Sequence, residues 1–193
     1  MLEELRRDVA AVRERDPAAR SDAEVVLCYP GLHALWGHRV ANRLWQADHR
    51  LGARFLSAVV RAWTGVDIHP AATIGSGLFI DHALGVVIGE TAVVGDYCSI
   101  LQNVTLGGNG KETGDRHPKI GKNVLLAAGA KVLGNIKVGD CSKIAAGSVV
   151  LNDVPANKTV AGVPARIVGD SGCPEPARSM DQRVGPDDCG CGF

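Results

Sequence analysis

From Ile68 to Val150 an aliphatic residue returns every sixth position: Ile68, Ile74, Ile80, then Ile88, Val94, Ile100, Leu106, then Ile120, Leu126, Val132, Val138, Ile144 and Val150. A half-buried strand repeats every two residues and an amphipathic helix every 3.6, so neither keeps one aliphatic residue in phase over such a distance. A solenoid of six-residue rungs does. Each rung is a short flat strand and a turn, and the aliphatic side chain points into a narrow interior, stacked on its equivalents above and below. Two positions before the aliphatic residue runs a second, mostly small stripe that suits a tight corner: Ala72, Leu78, Val86, Ala92, Cys98, Val104, Val124, Ala130, Ile136, Ser142 and Ser148. Glycine after many stripe residues gives the backbone freedom to turn.

The count breaks twice, and both breaks collect ionisable side chains. The step from Ile80 to Ile88 has two extra residues and carries Asp81-His82. The step from Leu106 to Ile120 carries Gly107-Gly108-Asn109-Gly110-Lys111 and Gly114-Asp115-Arg116-His117-Pro118-Lys119, residues that must leave the register as a loop.

Before the repeat the chain reads as helical. Leu2, Leu5, Val9 and Val12 recur at helical spacing and stop before Asp16-Pro17. Ser21-Asp22-Ala23-Glu24 reads as a capping box. Helical patterns follow over Leu32 to Trp45 and from about Leu51 to Trp63, and the boundary with the solenoid falls near Thr64-Gly65. After Val160-Ala161-Gly162-Val163-Pro164-Ala165-Arg166 the composition turns to Gly, Pro, Asp and Ser, which predicts a disordered tail. The division is 1–64 helical segment, 65–168 solenoid, 169–193 tail.

Lysine plus arginine equals aspartate plus glutamate, at 21 each, so no broad basic field exists for nucleic acid or an anionic membrane. Nothing in the chain is long and apolar enough for a signal peptide or a membrane span, so a cytoplasmic protein with a small-molecule partner is expected. There the six cysteines are reduced, and the even count is not a disulfide framework.

These residues resemble the serine acetyltransferases, of the left-handed β-helix acyltransferases. The resemblance is carried by Val66-Asp67-Ile68-His69-Pro70, Ile80-Asp81-His82, Ile88-Gly89-Glu90-Thr91, Thr105-Leu106-Gly107-Gly108, Gly114-Asp115-Arg116-His117-Pro118-Lys119 and Ala161-Gly162-Val163-Pro164-Ala165. It extends from about Val12 to about Gly169. It implies a mainly β chain, a left-handed parallel β-helix of hexapeptide repeats behind a short α-helical segment. It also implies transfer of acetyl from acetyl-CoA to the hydroxyl of L-serine, giving O-acetylserine and CoA on the route to cysteine, with no metal. By the same resemblance His82 is the general base with Asp67 behind it, and Asp16, Asp81, Arg116 and His117 bind serine. Gly108, Ala128, Lys143 and Ala146 fall where the family holds CoA.

The chemistry of the residues agrees. A serine hydroxyl attacks a thioester only when a base takes its proton, and histidine titrates near working pH. A carboxylate on the other imidazole nitrogen fixes the tautomer. A zwitterionic amino acid needs anions for its ammonium, which Asp16 and Asp81 supply, and a cation for its carboxylate, where the Arg116 guanidinium makes two parallel hydrogen bonds. His117 assists either contact. Gly107-Gly108 brings bare N–H groups near the thioester oxygen, and Lys143, Lys119 and Arg166 are the cations available for CoA phosphates. Glu90, close in sequence to the base, either shapes the pocket or is a solvated turn carboxylate.

Two other activities share this architecture. An acyltransferase with another small hydroxyl or amine acceptor is the first. A zinc hydratase of the γ-carbonic anhydrase kind is the second, and it needs three histidines, for which only His69, His82 and His117 are placed in the repeat region. For partners, the resemblance implies a homotrimer with sites between subunits. The chain begins just before the Asp16-Pro17 segment, so trimer is expected ahead of hexamer. Relatives dock a C-terminal tail ending in isoleucine into the sulfhydrylase that consumes O-acetylserine. Here the ending is Cys189-Gly190-Cys191-Gly192-Phe193, which weighs against that complex. Cys173, Cys189 and Cys191 read as incidental thiols of a tail.

Overall fold

The computed structural model describes residues 2–111 and 113–184. Four helices come first: α1 Leu2–Arg15, α2 Asp22–Cys28, α3 Pro30–Gln46 and α4 Arg50–Thr64. Acidic Glu3 and Glu4 open α1 and basic Arg13 and Arg15 close it, the arrangement that complements the helix dipole. The Ser21 hydroxyl caps α2 by accepting from the Glu24 N–H at 3.2 Å. The Glu24 carboxylate accepts from the Arg20 N–H, one residue earlier than in the usual reciprocal box. Pro30 occupies the first turn of α3, where no N–H partner is lost. Gly65, at φ +73°, ends α4 in the left-handed conformation that glycine adopts without a steric cost.

From Asp67 onward the chain winds through three parallel faces in strict rotation. The first face holds Asp67–Ile68, Val87–Ile88, Thr105–Gly107, Lys131–Leu133 and Val149–Val150. The second holds Thr73–Ile74, Val93–Val94, Lys119–Ile120 and Lys137–Val138. The third holds Phe79–Ile80, Ser99–Ile100, Leu125–Leu126, Lys143–Ile144 and Lys158–Gly162, closed by the antiparallel strand Ala165–Asp170. The register places every stripe residue over another: Ile68 on Ile88 on Leu106 on Val132 on Val150, and Ile80 on Ile100 on Leu126 on Ile144 on Val160. The six-residue period is therefore the spacing of one strand plus one corner. The interior it builds is dry, with Ile100, Leu106, Leu126, Val132 and Ile144 fully buried.

The small second stripe is buried as well, from Ala72 and Val86 to Ser142 and Ser148. Cys98 belongs to it; its thiol donates to the Gly121 carbonyl, and burial pushes its pKa up to about 12, so it is an inert core thiol. Ala34 and Leu35 of α3 join the solenoid core, while Val12, Val25, Leu32 and Phe79 form a second cluster between helices and third face. An Arg39 guanidinium grips the fully buried Asp8 carboxylate at 2.9 to 3.2 Å and ties α3 to α1.

The described part of the tail, residues 169–184, makes a few specific contacts. Ser171, Pro176 and Ala177 are buried in it, and most of its other residues are exposed. The last strand runs to Asp170, and Pro176–Ser179 forms a turn of helix, α5, in which Pro176 and Ala177 are buried. Composition misses this because the segment is held through its backbone: the Ala177 carbonyl accepts from Ser99 Oγ at 2.6 Å and the Arg183 carbonyl from Lys143 Nζ at 3.0 Å. Cys189, Cys191 and Phe193 lie outside the described residues.

Truncating a fully buried stripe side chain tests the stacked interior. Ile100→Ala is expected to lower the unfolding free energy by about 2–5 kcal/mol in urea denaturation, whereas Val87→Ala, at a half-exposed position beside the stripe, is expected to cost less than about 1 kcal/mol.

Candidate active site

Both breaks in the period become corners. The first lies where the third face turns into the first. Its two extra residues are accommodated by His82 at φ +55° and Ala83 at φ +60°, two consecutive non-glycine residues in the left-handed region. That conformation is costly for a residue with a Cβ and is held here by the Gly85 N–H to Gly65 carbonyl bond at 3.0 Å and by the buried Ala83. It pushes the His82 imidazole outward, with 69% of the side chain in solvent. The Asp81 carboxylate lies 3.7 Å from its Nε2.

Asp16 reaches the same corner from the end of α1. Its carboxylate accepts from the Ala18 N–H at 2.8 Å and from the Tyr29 hydroxyl at 2.6 Å. Burial and this bond to Asp16 raise the Tyr29 pKa, so the phenol stays a donor. Burial also raises the pKa of Asp81; the charge of His82 opposes that shift and the charge of Asp16 adds to it. Two partly buried carboxylates close enough for the charge of one to raise the pKa of the other are a combination that favours a positive group nearby.

Asp67 is not joined to His82 by a hydrogen bond or ion pair among the described residues. It sits on the first face, where Arg61 Nη1 of α4 pairs with it at 3.3 Å.

The second break lies on the other margin of the first face, where it turns into the second. One hydroxyl, that of Thr91, gathers the returning loop. It accepts from the Arg116 N–H at 3.0 Å and the His117 N–H at 3.1 Å, and contacts His117 Nδ1 at 2.9 Å. The Thr91 N–H also donates to Nδ1, at 3.2 Å. Nδ1 is therefore the acceptor, and the neutral ring carries its hydrogen on Nε2. Burial, helped by the charge of Arg116, lowers the His117 pKa and favours that neutral form. The ring lies against Gly89, where an added Cβ would fall 2.1 Å from Nε2. The Arg116 guanidinium is aimed by Glu90, at 2.9 Å, and Gly108 packs beside its stem. Glu90 thus shapes the site. Lys119 is used up locally, its ammonium held by the Thr91 and His117 carbonyls and by Asp115.

The positions named for CoA divide as the polar ones do. Ala128 and Ala146 lie on the His82 edge, in the next turns along it, where Gly129 and Gly147 have φ of +72° and +68° and leave the backbone bare. The Gln102 side chain is on that edge too, with its buried Oε1 unpartnered. Gly108 belongs to the Arg116 corner. Lys143 points into the third face, is buried, and is occupied by the Arg183 carbonyl. The histidines a zinc hydratase would need do not gather: among the described residues no cluster of three or more His, Cys, Asp or Glu forms.

Comparison with known proteins fits this geometry. A family profile described as serine acetyltransferase, N-terminal, matches residues 1–36, and one described as bacterial transferase hexapeptide (six repeats) matches residues 117–152. The serine acetyltransferase of Mycobacterium tuberculosis is 54% identical over 184 residues, which are 95% of this chain and 80% of that protein. The chain belongs to the serine acetyltransferase family. The crystal structure of the Vibrio cholerae serine acetyltransferase superposes with a TM-score of 0.93 at 53% identity, over 94% of this chain and 70% of that one. The Brucella abortus enzyme, solved in complex with coenzyme A, has a TM-score of 0.87 at 57% identity, covering 89% and 69%. The three-faced solenoid is thus the left-handed β-helix of this family.

Sequence reasoning named the ionisable residues and passed over what aims them: Thr91, Gly89 and Tyr29. Thr91 and Gly89 stand in a motif already quoted, and their spacing from the loop carries no signal until the rung is closed.

The raised pKa of Asp81 has a stability consequence. Between its unfolded value and its higher folded value the native state binds more protons, so stability falls as pH rises through that window and the full penalty is present above it. Asp81→Asn is therefore expected to raise the melting temperature at pH 8 and to lose that advantage below about pH 3.8, while serine-dependent activity falls.

Proposed function

We propose that this chain is a serine O-acetyltransferase, moving the acetyl group of acetyl-CoA to the hydroxyl of L-serine in the first step of cysteine synthesis. The observation that carries the choice of acceptor is the pair of half-buried carboxylates, Asp16 and Asp81, beside an exposed imidazole. A sugar or a simple alcohol offers no ammonium to offset them.

In this reading the serine ammonium sits between Asp16 and Asp81, which places its hydroxyl at His82. The imidazole takes the hydroxyl proton as the oxygen attacks the thioester carbon. The tetrahedral oxyanion then collapses, the carbon–sulfur bond breaks, and the CoA sulfur leaves with the proton returned from His82. Asp67 or Asp81 steadies the imidazolium; the choice depends on how the exposed ring turns. Acetyl-CoA lies along the bare backbone edge of Ala128 and Ala146, with Gly108 at its acyl end. Lys143 is no longer the natural phosphate partner, because its ammonium is covered.

The serine carboxylate goes to Arg116 and to the Nε2–H of His117. These border the first face on the margin opposite His82, and no hydrogen bond or ion pair among the described residues joins the two groups. A cyclic trimer, in which one margin of each protomer meets the other margin of the next, closes every site and leaves none incomplete. The surface supports it: Leu51, Phe55, Val59 and Trp63 form an exposed stripe along α4, and Leu84 stands exposed beside His82. No helix among the described residues is long and apolar enough to cross a membrane. With the charge balance of the chain, that supports a cytosolic site of action. Docking of the C-terminus on the sulfhydrylase rests on Phe193, outside the described residues.

Release of free thiol from acetyl-CoA on addition of L-serine, beside L-homoserine, L-threonine and a sugar, tests the reading. Serine is expected to be the preferred acceptor, and absence of serine-dependent release contradicts it. His82→Ala is expected to reduce kcat by about 10²- to 10⁴-fold with the solution mass still that of three chains.

A further inference from the structure

The segment after the solenoid has a consequence for the site at the other end of the third face. Strand Ala165–Asp170 ends the β-helix, and the chain then doubles back along that face. Ala177 is fully buried there, and Met180 packs against the cluster of Val12, Val25, Leu32 and Phe79. The segment does more than cover apolar surface. Ser99 Oγ donates to the Ala177 carbonyl at 2.6 Å and, with its lone pairs, accepts from Arg15 Nη1 at 3.1 Å. The same Nη1 donates to the Cys98 carbonyl at 2.9 Å. Arg178 of α5 pairs with Glu14.

Arg15 is the last residue of α1 and precedes Asp16 directly. It is only 6% exposed, its Nε has no partner, and burial lowers its pKa, so an arginine is being kept in a place that is costly for a cation. What it holds in exchange is the end of α1. Asp16 needs such an anchor, since it must stay near Asp81, another carboxylate that repels it, while no ligand is bound. Tyr29 and the Ala18 N–H orient the Asp16 carboxylate, but both belong to the helical segment and move with it. Arg15 bonds this segment end to the solenoid itself, directly at the Cys98 carbonyl and also at Ser99, and through Ser99 the contact continues to the returning strap.

We propose that the strap Pro176–Met180, acting through Ser99 and Arg15, is a positioning element for Asp16 and sets the affinity for the amino-acid substrate. Arg15 and Ser99 touch no substrate; they are positioning residues. The proposal rests on the reading of Asp16 as a contact of the substrate ammonium.

Steady-state kinetics on the whole 193-residue chain separate a positioning role from a structural one. Ser99→Ala removes the shared hydroxyl, and Met180→Asn removes the strap's apolar contact at a residue whose φ of +54° asparagine tolerates. Each is expected to raise KM for L-serine by about five- to tenfold, with kcat and KM for acetyl-CoA within about twofold of native. Asp16→Ala, measured alongside, is expected to raise KM for serine at least as much. If Asp16→Ala does so and both strap variants, folded by circular dichroism, keep the native KM for serine, the strap is structural only and the proposal fails. If both substrates' KM values rise together, the effect is not on Asp16 and the proposal also fails. If Asp16→Ala leaves KM for serine unchanged, the ammonium role of Asp16 is lost first and the strap's role with it.

Discussion

Everything in the molecule hangs on one contact repeated along its length, an aliphatic side chain stacked on its counterpart one rung away in a parallel register. Ile80, Ile100, Leu126, Ile144 and Val160 make one such column, and the other faces make two more. Each buried side chain of this kind contributes about 1.5–3 kcal/mol, and a column works only if every strand keeps phase with its neighbours. A one-residue slip would put the column outside. The chain therefore has almost no freedom to vary within a rung, and its freedom is concentrated in what it places between rungs.

The residues of the proposed site follow from that restriction. Extra residues cannot be absorbed inside the stack, so two of them after Ile80 become a corner with His82 and Ala83 in the left-handed region, and eight in the step from Leu106 to Ile120 become the loop that Thr91 gathers back. The same rigidity makes both groups precise in direction and keeps them apart, on opposite margins of one face. A rigid prism cannot bend its margins together, which is why the proposed site calls for a second copy of the chain and not for a conformational change.

How far this could be seen in the sequence depends on the kind of contact. The stripe was fully legible, since a side-chain period maps directly onto a backbone period. So were the two interruptions, because only departures from a strict count stand out, and they drew attention to Asp81, His82, Arg116 and His117 as residues of the proposed site. Contacts made by ordinary residues across the fold were not legible. The Tyr29 hydroxyl meets Asp16 across a turn, and the Thr91 hydroxyl serves three groups of the loop, yet neither residue type is rare enough to draw notice. The contacts of the strap and of Lys143 were not legible either, because they use the carbonyls of Ala177 and Arg183, which composition cannot reveal.

The central claim is that His82 of one chain and Arg116 of the next complete one site, and complementation tests it directly. Chains carrying His82→Ala and chains carrying Arg116→Ala are each nearly inactive alone. When the two are co-expressed and assemble at random into cyclic trimers, about a quarter of the sites draw both residues intact, so serine-dependent acetyl transfer near a quarter of native is expected. Activity no higher than that of the two parents would contradict it, and would place both residues in a site within one chain.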